Sequence, residues 1–224
     1  MRTQREHQRR SDMNQDLRIK ICGITRPEDA RLALRAGAHA LGLVFYPPSS
    51  RAVKVEEASA VAEAVGPFVT LVGLFVNATA EEIQSVLSQV PLQLLQFHGD
   101  EPAEHCERYG LPYIKALRMR PDINVAAVMA EHPNASGFLL DAYRQGVPGG
   151  TGDTFDWQRV PKSCGRPVIL AGGLTPENVA QAVAQTRPYA VDVSGGVEAE
   201  PGIKDAQKLN QFIANAINGE HGDF

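Results

Sequence analysis

One pattern repeats along this chain: a short run of apolar and β-branched residues, then a longer stretch whose apolar positions recur at helical spacing. Strands are expected at 17–22, 40–45, 69–75, 92–96, 113–117, 137–141, 168–171 and 190–194. Helices are expected between them, at 27–36, 55–65, 80–89, 102–108, 122–131, 176–185 and 203–217. After the sixth strand only a short turn of helix is expected, around Phe155-Asp156-Trp157. Strands that alternate with helices pair in parallel, because each connection must cross back over the sheet. Eight such strands in about two hundred residues predict a single closed (β/α)8 barrel with outer helices. The rival, an open doubly wound sheet, usually has fewer strands and a GxGxxG turn after the first. Here that turn is Cys22-Gly23-Ile24-Thr25. A weak echo between Leu41-Gly42-Leu43-Val44-Phe45 and Leu71-Val72-Gly73-Leu74-Phe75 fits regular units.

The chain has 224 residues, 43% hydrophobic and 21% charged, enough to build one sizeable core. No low-complexity linker divides it. A formal net charge of −4 gives no global basic field for nucleic acid. No apolar run approaches the eighteen or so residues of a membrane span. The cysteines Cys22, Cys106 and Cys164 form no CxxC pair and no disulfide framework, so a reducing, cytoplasmic setting is expected. Residues 1–16 are expected to be a mobile extension: Met1–Arg10 holds four arginines and no apolar stretch of the secretory kind. Met13 is a candidate physiological start. The barrel is assigned to 17–218, and 219–224 to a C-terminal tail.

In such a barrel the active residues collect where strands end. Strand one ends at Cys22, strand two leads into Pro47-Pro48-Ser49-Ser50-Arg51, and strand four ends at Gln96-Phe97-His98-Gly99-Asp100. Strand six ends at Asp141, strand seven at Gly172-Gly173, and strand eight at Ser194-Gly195-Gly196. Either glycine pair alone reads as a tight turn. Two pairs after strands seven and eight favour a phosphate site, because glycine lets backbone N–H groups approach an anion closely.

A free cysteine is more often a small buried hydrophobe than a reactive group. At Cys22, strand alternation adds Lys20 to the same face, and a nearby ammonium favours the thiolate. Cys106 and Cys164 are read as structural. Asp141, ending an apolar strand, must be solvated, paired or catalytic. Arg51 in its Pro/Ser-rich loop is either solvated or a bidentate clamp for a carboxylate. His98 is expected to be a satisfied strand-end histidine, since Cys22 and Asp141 already supply an acid and a base. Alternation also turns Lys20 and Asp192 inward on strands one and eight, which are neighbours in a closed barrel; either the two meet beneath Cys22, lysine's length spanning an expected stagger between the strands, or each finds water or another partner. Thr25 and Glu28 are expected to form a capping box on the first helix.

Taken together the motifs resemble the phosphoribosylanthranilate isomerase family of tryptophan biosynthesis. They are Lys20-Ile21-Cys22-Gly23-Ile24-Thr25, Gly42-Leu43-Val44-Phe45-Tyr46-Pro47 with Ser50-Arg51, and Gln96-Phe97-His98-Gly99-Asp100-Glu101. Further on come Leu140-Asp141, Gly149-Gly150-Thr151-Gly152 with Phe155-Asp156-Trp157, Leu170-Ala171-Gly172-Gly173-Leu174 and Val191-Asp192-Val193-Ser194-Gly195-Gly196-Val197-Glu198. The resemblance implies a (β/α)8 barrel and an Amadori rearrangement of N-(5-phosphoribosyl)anthranilate, with neither metal nor organic cofactor. It implies Cys22 as general base, Asp141 as general acid and Arg51 on the anthranilate carboxylate. Gly172, Gly173, Ser194, Gly195 and Gly196 would hold the phosphate. The family often carries a serine where this chain has Gly195, so only the backbone is expected to reach phosphate there. The implied partner is a small phosphorylated molecule, not nucleic acid or a membrane.

Free aspartic acid titrates near 3.9 and free cysteine near 8.5, the wrong way round for an acid and a base at neutral pH. The site must therefore raise the acid or lower the thiol. Two other readings remain open on the residues alone. Another phosphosugar isomerase or epimerase would use the same barrel, but a metal-dependent one needs a histidine/carboxylate set, and only His98 is well placed. A non-catalytic phosphate-ligand binding protein would keep the glycine turns and Arg51 without needing both Cys22 and Asp141.

Overall fold

A computed structural model of the protein describes residues 17–142, 154–161 and 164–221. Eight parallel strands close into one barrel in sequence order. They are β1 (Arg18–Cys22), β2 (Ala40–Val44), β3 (Thr70–Phe75), β4 (Leu94–Phe97), β5 (Tyr113–Arg118), β6 (Gly137–Asp141), β7 (Val168–Leu170) and β8 (Ala190–Val193). The outer helices are α1 (Pro27–Ala36), α2 (Val55–Val65), α3 (Ala80–Leu87), α4 (Ala103–Glu107), α5 (Val125–Glu131), α6 (Val179–Thr186) and α7 (Ala206–His221). A 3₁₀ turn, Trp157–Arg159, stands between β6 and β7. The expected barrel is the one observed. The expected N-terminal extension, the Gly149–Gly152 motif and residues 222–224 lie outside the described residues.

Alternation along each strand divides the core. Ile19, Ile21, Leu41 and Leu43 point outward and pack with Ala30, Ala33, Ala58 and Val61 of α1 and α2. Each such aliphatic side chain, fully buried, contributes about 1.5–3 kcal/mol. Inside the barrel, Ile114, Ala116, Leu139, Ile169, Ala171 and Ala190 form a separate apolar layer. Cys22, Val44 and Leu74 form another toward the C-terminal ends of the strands. The interior is therefore packed, and Lys20 and Asp192 are buried within it beneath Cys22.

The ring closes where β1 pairs with β8, Lys20 standing opposite Asp192. The end of the chain joins this seam: the Leu17 amide donates to Glu220 Oε1 at 2.9 Å. α7 runs through residues 219–221, which the sequence reading placed beyond the barrel.

Three local expectations fail for identifiable reasons. The capping box at Thr25 does not form: Arg26 is the N-cap of α1, and the Thr25 hydroxyl donates to the Gly202 carbonyl at 2.6 Å. Asp29, wholly buried, instead accepts from Arg26 Nη2 at 2.7 Å and from the Lys204 amide at 3.1 Å. α6 starts at Val179 and not at 176, because Asn178 is used by the preceding loop: its Oδ1 accepts from the Thr175 amide at 2.8 Å. The last helix starts at Ala206 and not at 203, because Pro201-Gly202 reverses the chain and makes an antiparallel ribbon of β9 (Glu198–Glu200) and β10 (Ile203–Lys204). Asp205 then caps α7, its Oδ1 accepting from the Gln207 and Lys208 amides at 2.8 and 2.9 Å.

Candidate active site

At the C-terminal ends of the strands lies a cavity of about 350 Å³. All the site residues expected from sequence line it: Cys22, Arg51, Asp141, Gly172, Gly173, Ser194, Gly195 and Gly196. So do Gln96, His98 and Asp192.

Cys22 enters from β1. Lys20, two residues below it on the same face, is buried and donates to Asp192 Oδ1 at 2.8 Å. The direct ion pair is thus present, but without the expected stagger: β1 and β8 place its partners directly in register. Gly42 on β2 makes room for both side chains, since a Cβ there would stand 2.7 Å from Cys22 Sγ and 3.2 Å from Lys20 Nζ. Burial opposes the charge on Lys20, but Asp192 and Cys22 outweigh it and hold its pKa above the ordinary value. For Cys22 the balance goes the other way. Burial pushes the thiol up, Lys20 pulls it down, Asp192 pushes it up again, and the net shift is upward. Lys20 therefore does not by itself set the thiol, because burial outweighs its pull and Asp192 opposes it. Cys106 is buried in α4, and burial pushes its thiol up to about 12, which fits a structural role.

Asp141 enters from the end of β6 and is buried. Its Oδ2 lies 3.1 Å from His98 Nε2, and His98 Nδ1 lies 3.1 Å from Gln96 Nε2. His98 is satisfied, as the sequence reading had it, but its partner is the carboxyl of the cavity. Gln96 was overlooked. The signal for it was the alternation of β4, which turns Gln96 and His98 to the same face.

Arg51 reaches the cavity from the β2–α2 loop, already bound. Its Nε and Nη2 donate to Glu198 Oε1 and Oε2 at 2.9 and 2.7 Å. Lys204 Nζ donates to the same Oε1 at 2.8 Å and to the Ser194 carbonyl at 3.2 Å. Burial would push Glu198 up, but Arg51 and Lys204 hold it below the usual carboxylate range. One edge of the guanidinium is thus occupied, and its outer edge, Nη1 with Nη2, is what remains for a carboxylate. Glu198 and Lys204 belong to the β9–β10 ribbon, which no barrel pattern predicts.

The two glycine turns complete the rim. Gly172 and Gly173 have φ of 82° and 63°, left-handed values that favour glycine. A Cβ on Gly172 would run into the Ala142 amide nitrogen. Asn178 Nδ2 holds this loop by donating to the Gly173 carbonyl at 2.9 Å. After β8, Gly195–Val197 form a 3₁₀ turn, and the buried Ser194 Oγ makes no hydrogen bond. A Cβ on Gly195 would stand 3.1 Å from Arg51 Nη2.

Among the described residues, no group of three or more His, Cys, Asp or Glu side chains is placed to share a metal ion. Among the same residues, no helix is long and apolar enough to cross a membrane.

Residues 19–215 match the family model for N-(5′-phosphoribosyl)anthranilate (PRA) isomerase. The N-(5′-phosphoribosyl)anthranilate isomerase of Cellvibrio japonicus is 61% identical over 201 residues, covering 90% of this chain and 94% of the relative. The crystal structure of phosphoribosyl anthranilate isomerase from Thermus thermophilus superposes with a TM-score of 0.80 at 43% identity, covering 89% of this chain and 98% of that one. A phosphoribosyl anthranilate isomerase solved in complex with reduced 1-(o-carboxyphenylamino)-1-deoxyribulose 5-phosphate superposes with a TM-score of 0.80 at 40% identity, covering 90% of this chain and 98% of that one. A barrel with these residues on its rim and a family match over nearly all of its described length belongs to the phosphoribosylanthranilate isomerase family.

Proposed function

We propose that the cavity converts N-(5-phosphoribosyl)anthranilate to 1-(2-carboxyphenylamino)-1-deoxy-D-ribulose 5-phosphate by general acid/base catalysis. The observation that carries this is the entry of one thiol and one carboxyl, Cys22 and Asp141, into the same cavity as two glycine turns and Arg51. The glycine turns and Ser194 take the phosphate through backbone N–H groups. Arg51 presents its outer edge to the anthranilate carboxylate. The reacting ribose then lies between these ends, over Cys22 and Asp141.

Asp141 gives a proton to the furanose ring oxygen. The C1′–O bond breaks, its electron pair stays on oxygen, and C1′ becomes an iminium. That positive charge acidifies the C2′ proton, and it favours a thiolate at Cys22 by the rule that a nearby cation stabilises an anion. Cys22 removes the C2′ proton, and the enaminol so formed tautomerises to the ketone. One proton leaves Asp141 and one arrives at Cys22, so exchange through water restores the starting state. The three unpaired cysteines support a reducing, cytoplasmic setting for this chemistry.

The test is an assay of the purified protein on freshly made N-(5-phosphoribosyl)anthranilate in the presence of EDTA. EDTA-insensitive formation of the ribulose product is expected. Binding without turnover would support a non-catalytic phosphate-ligand protein, and turnover abolished by EDTA a metal-dependent isomerase.

A further inference from the structure

A carboxyl that donates a proton near neutral pH must hold one there, and a free aspartic acid does not. Asp141 has a partner. His98 Nε2 is 3.1 Å from Asp141 Oδ2, and Gln96 Nε2 is 3.1 Å from His98 Nδ1. All three side chains are buried and face the cavity. The His98 backbone is fixed on both sides: its amide donates to the Phe75 carbonyl at 2.9 Å, and its carbonyl accepts from Arg118 Nη2 at 3.0 Å. The ring is therefore held against Asp141.

Gln96 Oε1 is buried and has no hydrogen-bond partner. A half-turn of the amide exchanges its two ends and brings Oε1 to Nδ1. The two orientations suit two proton contents of the pair. With the amide NH2 at Nδ1, the imidazole is neutral, Nε2–H donates to Oδ2, and Asp141 is a carboxylate. With Oε1 at Nδ1, Nδ1 carries a proton, and a further proton lies between Nε2 and Oδ2. The charged and titratable groups around the pair are Arg118, in register with Asp141 on β5, and Cys22, Tyr46, Arg51 and Asp192 around the cavity. Behind His98, the Lys115–Glu101 ion pair holds the Gly99 peptide.

We propose that Gln96 and His98 are positioning residues which let the His98–Asp141 pair, and not Asp141 alone, hold the proton that is delivered to the substrate's ring oxygen. This rests on Asp141 being the acid. In the loaded state the pair carries one proton more than in the spent state. When Asp141 releases it, the pair is a carboxylate and a neutral imidazole still protonated on Nδ1; exchange with water then removes that proton and places one on Nε2, and the amide turns back.

The test is the pH dependence of kcat/KM, with the Cys22 thiol titrated separately so that its limb is recognised. His98→Asn is expected to lower kcat about 10- to 100-fold and to move the other limb to lower pH by about one unit or more. Gln96→Glu, which presents an acceptor to Nδ1–H in either orientation, is expected to move that limb to higher pH. Nitrogen NMR of the wild-type enzyme is expected to show a proton on His98 Nδ1 within the active pH range. An unmoved limb in both variants, or a His98 protonated only on Nε2 throughout that range, overturns the proposal. Asp141→Asn separates the two readings: retained turnover overturns Asp141 as the acid, whereas lost turnover with unmoved limbs in the other variants overturns the relay alone.

Discussion

Lys20 brings a charge beneath the cavity floor, and Asp192 meets it at 2.8 Å with both side chains buried. Removing one partner of such a pair strands the other, at about 3–5 kcal/mol. Asp192→Asn is therefore expected to lower the unfolding free energy by that order. It is also expected to move the Cys22 titration down, because Lys20 would then act on the thiol without an opposing charge. Thiolate absorbance against pH checks this, and an unmoved midpoint would rule out the coupling. The raised pKa of Lys20 fixes the sign of the pH effect in the wild type. The pair's stabilisation is full below the ordinary lysine pKa and is lost only as pH rises through the folded value, so it is constant around neutrality. Cys22→Ala is expected to keep the melting temperature and to cut turnover by about 10²–10⁴-fold. Arg51→Ala is expected to raise KM, and also to lower the melting temperature, since Glu198 loses its two hydrogen bonds from the guanidinium. An unchanged KM would sink the role of Arg51 as a carboxylate clamp. Much of this was legible in the sequence, because alternation alone turns Lys20, Cys22, Gln96, His98, Asp141 and Asp192 inward. Glu198 and Lys204 were not legible as partners of Arg51, because their positions depend on a reversal at Gly202 that strand and helix periods do not reveal.

The strands and helices were legible to different degrees. Each strand is a short apolar run with polar flanks, so all eight were found, with ends displaced by a residue or two. Helix starts were less secure, because a capping residue can be drawn away by a loop it touches. Thr25 is drawn to Gly202, so Arg26 takes the N-cap although α1 still starts at Pro27 as expected; Asn178 is drawn to Gly173, and α6 starts later than its sequence suggests. The same loops carry the glycine turns, where conformation is the main requirement. Gly172→Ala would place a Cβ against the Ala142 amide nitrogen and force a left-handed φ on alanine. It is expected to lower the melting temperature and to raise KM, and phosphate should then inhibit the variant less well than the wild type. Wild-type phosphate inhibition with a lowered melting temperature would leave the turn structural and remove it from the anion site.

The whole molecule is a ring closed between its first and last strands, with Leu17 held to Glu220 beside the seam. Ring closure was readable from the count of strands. The contact of Leu17 with the last helix was not, since nothing in Glu220 marks it as the acceptor of a distant amide. Deleting residues 1–12 is expected to change neither turnover nor melting temperature, because that segment has no apolar face to bury; a large loss of either would show that the segment docks. The seam also sets an order in time. Lys20 and Asp192 are separated by 172 positions. At a synthesis rate of about 5–20 residues per second, the ribosome adds the partner of Lys20 roughly 9–34 seconds after Lys20 itself. Throughout that interval the nascent chain carries its thiol and its ammonium on a strand with only one neighbour to pair with. The local field at Cys22 is therefore among the last properties the enzyme acquires, arriving with the eighth strand.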